Sequence, residues 1–119
     1  MEKEKTLYFR FQFEDGADSE ALARELQDRL ARLDAVAQAS AREERMRMTG
    51  AEVVAAIAVG VLVVRGSRQL VQEINLLLTE VADMVKNIKG LTSGSVEVDG
   101  RAVALAEVDE QDVAALAGD

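Results

Sequence analysis

The stretch VVAAIAVGVLVV, residues 53–64, has no polar side chain, although 30% of the chain is charged. Such a run can be a membrane-spanning helix, a strand of a sheet, or a helix buried on every side. It follows the sequence TGAE at 49–52, which has the Thr-x-x-Glu pattern of a helix capping box. We therefore expect a helix through 53–64, and a strand over Val61–Val64 is the alternative.

A membrane span is not expected for this run. Twelve helical residues extend about 18 Å, whereas the hydrocarbon core of a bilayer is roughly 30 Å thick. Glu52 and Arg65 limit any extension at the two ends. A helix that is apolar all round belongs inside a fold or an assembly. Ala56 and Gly60 would let another helix approach closely, or would pack on the sheet or on a helix over 67–89 of the same chain.

Length and composition restrict the classes of function. The 119 residues predict one α+β domain over 1–119. The chain has no cysteine, histidine or proline, so it offers no disulfide, no thiolate zinc site and no Ser-His or Cys-His pair. We expect no enzyme activity, no catalytic, cofactor-binding or metal residues, no cofactor and no small-molecule substrate. Absence of cysteine and of a signal peptide in MEKEKTLYFRF fits the cytoplasm.

The charge is concentrated at one end of the chain. The net charge is −8, and residues 90–119 contain seven acidic groups and one basic group. Such a region repels phosphate backbones, so we do not expect nucleic-acid binding. It is either a solubilising face or a surface that attracts a basic partner.

The first half of the chain predicts a strand, a helix and a second, shorter strand. Residues 6–13 alternate, with Leu7, Phe9, Phe11 and Phe13 on one face and Tyr8, Arg10 and Gln12 on the other. An amphipathic helix follows, with Asp18 or Ser19 as its N-cap. A short strand near 36–41 or 43–48 is expected next.

The second half predicts a long helix, a hairpin and a short helix. The long helix occupies 67–89 and ends at Gly90 as its C′ residue. Asp99-Gly100 is the turn of a hairpin over 94–105, and Asp109 caps the closing helix. The predicted order is β-α-β-α-α-β-β-α: a small sheet of about four strands packed by two long helices and a short C-terminal helix.

Several of these segments together resemble a known bacterial family. They are the aromatic first strand, the junction RMRMTG before the apolar run, the hairpin VDGRAVAL and the closing DEQDVAAL. In this order they are similar to the family called effector-associated constant component. The resemblance implies a non-enzymatic accessory protein that recruits, scaffolds or restrains an effector of a bacterial conflict system. It brings no catalytic residues.

We therefore expect a cytoplasmic, non-catalytic adaptor that forms a homo-oligomer or binds an effector protein. It would do so through apolar helical surface around 53–64 and 70–88. The candidate interface residues are Ala56, Ile57, Gly60, Val61, Leu77 and Val81. The alternative is a membrane-acting effector that inserts both helices as a hydrophobic hairpin.

Overall fold

The computed structural model describes residues 2–14, 16–33, 36–47, 53–66 and 70–117. These ranges form five strands and three α-helices, so the predicted α+β class is confirmed. Their order is β1 Glu2–Phe13, α1 Ser19–Ala31, β2 Val36–Arg47, β3 Val53–Gly66, α2 Leu70–Asn87, β4 Leu91–Val98, β5 Arg101–Ala104 and α3 Glu110–Ala117. A 3-10 turn, Leu105–Glu107, connects β5 to α3.

The strands form one antiparallel sheet in the order β2-β3-β1-β4-β5. β1 lies at its centre and pairs with β3 on one side and with β4 on the other. The helices cover one face of the sheet, because their buried residues join those of the strands in a single core. The core includes Phe9 and Phe11 from β1, whose rings stack with centroids 6.2 Å apart.

The predicted helix over 53–64 is wrong, because the segment is part of β3, which is 14 residues long. Seven of the twelve residues are valine or isoleucine, and β-branched side chains pack well on a pleated sheet. Between Ile57 and Val61 the run also alternates in size. The bulky side chains of Ile57, Val59, Val61 and Val63 are buried, whereas Ala58, Gly60 and Leu62 are only partly buried. The alternative of a strand at Val61–Val64 was therefore correct but too short.

This correction changes the predicted architecture. The sheet has five strands instead of about four within the described ranges, and the long helices are α1 and α2. The capping box expected at 49–52 lies outside the described residues. The two alternative short strands, 36–41 and 43–48, are replaced by β2, a single strand that is irregular between Val36 and Gln38.

Most of the predicted helix and turn signals are confirmed where the structure describes them. The Asp18 carboxylate caps α1 by accepting from the amide of Ala21, 3.1 Å away. Gly90 has a positive φ of +102°, but α2 ends at Asn87, so this glycine lies one residue beyond the C′ position. In the β4–β5 hairpin, Asp99 and Gly100 both have positive φ, as expected for a two-residue type I′ turn.

The cap of α3 is reciprocal. The amide of Asp112 donates to the Asp109 carboxylate at 2.9 Å, and the amide of Asp109 donates to the Asp112 carboxylate at 3.1 Å. The predicted cap at Asp109 is therefore confirmed. Val108 and Val113 flank this cap at the positions of a hydrophobic staple, and both contribute to the core region.

Candidate functional site

The six candidate interface residues lie at two different depths. Ile57, Val61, Leu77 and Val81 are at most 1% exposed, so their side chains are enclosed by this chain's own core. Gly60 is partly buried on the opposite face of β3, and Ala56 lies in register with Gln12 and Glu44. Because β3 is a strand, the helical surface expected around 53–64 does not exist in this fold.

The face of the sheet opposite the helices is uncovered, and we call it the open face. Its side chains come from the alternate positions of each strand. Those described are Glu4, Thr6, Tyr8, Arg10, Gln12, Gln38, Ser40, Arg42, Ala58, Gly60, Leu62, Ser93, Ser95, Glu97, Ala102 and Ala104. None of them is buried. Most are small or polar, and Tyr8 and Leu62 are the large apolar side chains among those described.

Tyr8 stands at the middle of the open face. Its side chain is 56% exposed, and its ring lies beside Gly60, with which it is in register. A Cβ atom added to Gly60 would be 3.8 Å from the Tyr8 ring. The tyrosine thus covers the bare backbone of a strand glycine and presents the rest of its ring outward.

On the open face, Ala58 lies between two arginines, one on each neighbouring strand. Ala58 is in register with Arg42 on β2 and with Arg10 on β1. The same row continues across β4 with Ser95. A shallow cleft of about 290 Å³ lies here, between the arginines and Glu97 of β4.

The described charges of the open face cancel. Arg10 and Arg42 carry two positive charges, and Glu4 and Glu97 carry two negative ones. The whole chain, in contrast, has a net charge of −8. Among the residues described, the charges of the open face therefore sum to zero, although the chain as a whole is acidic.

A second concave surface, the α2–α3 groove, lies on the helical side of the molecule. Its walls are Val71, Gln72 and Asn75 from α2 and Val108, Asp109, Glu110 and Val113 at the start of α3. The volume is about 660 Å³. Val71 is 47% exposed within it, so the floor is apolar and open to solvent.

The α3 wall of the groove is acidic, whereas the α2 wall of Val71, Gln72 and Asn75 is uncharged. Arg101 lies 3.9 Å from the Asp112 carboxylate, next to the α3 cap. Asp109 and Glu110 lie at the groove itself. The reciprocal cap between Asp109 and Asp112 holds the Asp109 carboxylate in place, because both partners exchange hydrogen bonds.

Part of the open face could be recognised from the sequence. The outward set of the first strand, Tyr8, Arg10 and Gln12, was predicted from its alternation and belongs to the open face. Ala58 was missed, because the run around it contains no polar residue to mark the outer face. The α2–α3 groove was also missed, since it depends on how two separate helices pack.

Neither a metal cluster nor a membrane-crossing helix is found in the described parts of the chain. No three Asp or Glu side chains converge there as a metal site would require. No helix among these residues is long and apolar enough to cross a membrane.

Comparison with known proteins gives no relative on which to base a function. No family model, no curated protein and no solved structure matches this chain. The functional argument therefore depends on the two surfaces described above.

Proposed function

We propose that the chain is a non-catalytic adaptor that pairs with a second copy of itself through the open face. The observation that carries this proposal is an exposed sheet face whose described charges cancel, whereas the chain as a whole has a net charge of −8. Following the family resemblance, we place this adaptor in the cytoplasm beside an effector of a bacterial conflict system.

The shape of the open face suits packing against another sheet. Two sheets pack face to face at about 10 Å when the side chains between them are small enough. Ala58, Gly60 and Ser95 are small, and Tyr8 is the aromatic side chain that could insert between the sheets. Tyrosine at the centre of an interface is a frequent source of binding energy.

The area of the open face is sufficient for a weak, specific dimer. Five strands about 4.8 Å apart and seven residues of about 3.4 Å each cover roughly 500 Å² per copy. Two copies would bury about 1,000 Å² in total, which is near the lower limit for a biological interface. We therefore expect a dimer that dissociates on dilution.

The described charges of the open face permit pairing with a second copy despite the net charge of the chain. Two chains with net charge −8 repel each other through most of their surfaces. On the open face, however, the arginines of one copy can approach Glu97 of the other. A self-complementary arrangement of this kind is what a two-fold interface requires.

Edge-to-edge pairing of the sheets is less well supported. The amide of Ala41 on the edge strand β2 donates to the Gln27 side chain of α1 at 3.0 Å. This helix therefore occupies part of that edge. The other edge strand, β5, has only four residues. Natural proteins protect exposed edges in both of these ways.

The experiment is sedimentation equilibrium over a range of concentrations on the wild type and two variants. Tyr8→Glu places a charge at the centre of the open face and should weaken the dimer by about 30-fold, since a hot-spot residue contributes about 2 kcal/mol. Leu76→Glu is the control, because Leu76 is equally exposed at 58% but lies on α2. It should change the dissociation constant by less than about twofold.

Two results would contradict the proposal. One is a wild-type monomer at every concentration up to the millimolar range. The other is equal weakening by Tyr8→Glu and Leu76→Glu, which would mean that the interface is not the open face.

A further inference from the structure

We infer that the α2–α3 groove binds a segment of a partner protein in which lysine or arginine residues flank apolar ones. This inference deepens the adaptor function and rests on it, because it names the chemistry of the partner that the adaptor would hold. The groove and the open face use different residues, so the two can be tested separately.

The floor of the groove explains the apolar part of the ligand. Val71 is nearly half exposed, and Val108 lies across the groove from it. Val113 closes the floor beneath them, 6% exposed. Covering such side chains removes apolar surface from water, so a ligand with one or two aliphatic side chains is favoured. A volume of about 660 Å³ accommodates a few side chains, not a folded domain.

The walls explain the basic part of the ligand. Asp109 and Glu110 stand at one side of the groove, and no Lys or Arg is among the described residues that line it. Acidic surface of this kind raises the local concentration of cationic partners and speeds their association. The Asp109 carboxylate is already fixed by the cap of α3, so little ordering is needed when a cation approaches it.

Polar side chains supply the remaining part of the recognition surface. Gln72 and Asn75 are exposed on the α2 wall, facing the cap of α3. Their amide groups can both donate and accept hydrogen bonds, as the backbone of a bound peptide requires. A protein segment satisfies all three features of the groove, whereas a simple cation or an aliphatic molecule satisfies only one.

The test uses a labelled synthetic dodecapeptide with two leucines, each flanked by lysines. Its binding to the full chain is measured by fluorescence anisotropy. One control peptide has serine in place of the leucines, and another has glutamate in place of the lysines. Each control peptide should bind at least about tenfold more weakly, because the first lacks the apolar side chains and the second lacks the positive charges.

Matched protein variants locate the site. Glu110→Lys should weaken binding by about tenfold, whereas Glu80→Lys makes the same charge change on α2 outside the groove and should cost less than about threefold. Val71→Ser removes an apolar side chain from the floor and leaves the sequence of α3 unchanged. Leu76→Ser is its control on the same helix.

Several outcomes would overturn the inference. These are no saturable binding by the wild type, equal effects of Glu110→Lys and Glu80→Lys, or equal binding of the serine peptide. Tyr8→Glu separates the two proposals, since this variant should lose the dimer and still bind the peptide. A wild type that dimerises but does not bind the peptide would contradict the groove proposal and leave the open-face proposal in place.

Discussion

The two faces of the sheet are built from the same strands but differ in the burial and the size of their side chains. On β1, Phe9 is 1% exposed, and its neighbour Tyr8 is 56% exposed. On β3, Val59 is buried, and its neighbours Ala58 and Gly60 are small and reach solvent. The contrast shows that residues 57–61 of β3 place larger side chains in the core and smaller ones outward, without any polar residue.

The largest expected effect comes from truncating one aromatic on each face. Phe9→Ala should lower the free energy of unfolding by about 3–5 kcal/mol, because it leaves a cavity in the core. Tyr8→Ala should cost less than about 1 kcal/mol, since most of that ring already meets solvent. Urea unfolding at concentrations where the chain is monomeric measures both values. Similar costs would contradict the assignment of the two faces.

Glycines on the two faces should respond in opposite directions. A Cβ atom at Gly94 would lie 2.9 Å from a methyl carbon of Leu105 and 2.9 Å from one of Val85. Gly94→Ala should therefore destabilise the fold by about 1–2 kcal/mol, because both side chains must move. Thermal unfolding measures the change.

Gly60→Ala is the matched control for Gly94→Ala. The added methyl group at position 60 meets only the Tyr8 ring, at 3.8 Å, which is an ordinary contact. This variant should be stabilised by about 0.5 kcal/mol, since glycine weakens a strand interior. A loss of stability equal to that of Gly94→Ala would show that the open face is more crowded than described.

A further pair of variants tests the alternation inside the apolar run. Val61→Thr places a hydroxyl group in the core and should cost about 1 kcal/mol or slightly more. Leu62→Thr, one residue further on, should cost less, because Leu62 is only partly buried. Chemical denaturation of both variants measures the difference. A reversed order would mean that the strand register is wrong.

Much of the fold could be predicted from local chemistry. The alternation around Phe9, the cap at Asp18 and the turn at Asp99-Gly100 each involve neighbouring residues, and each is present in the structure. The apolar run was predicted wrongly because it has no polar residue on either face, so a division into polar and apolar residues does not reveal its period of two. Its Thr-x-x-Glu prefix also favoured a helix.

The two surfaces could be predicted less well than the fold. The open face needs the strand order, which brings Arg42 and Arg10 to either side of Ala58 although they are far apart in sequence. The α2–α3 groove needs the packing of Val71 near Val108. Both arise from long-range contacts that no local pattern encodes. The acidic C-terminal region was visible in the sequence, but its position beside an apolar floor was not.

The most direct test of the open face uses a single introduced thiol. The chain has no cysteine, so Ala58→Cys creates a unique reactive group on the open face, and Ala114→Cys creates one on the exposed side of α3. The alkylation rate of each is measured as the protein concentration rises. We predict that alkylation at position 58 slows in proportion to the fraction of chains that are paired, by about tenfold when nine-tenths are dimeric, while position 114 is unaffected. Equal, concentration-independent rates at the two positions would contradict pairing through the open face.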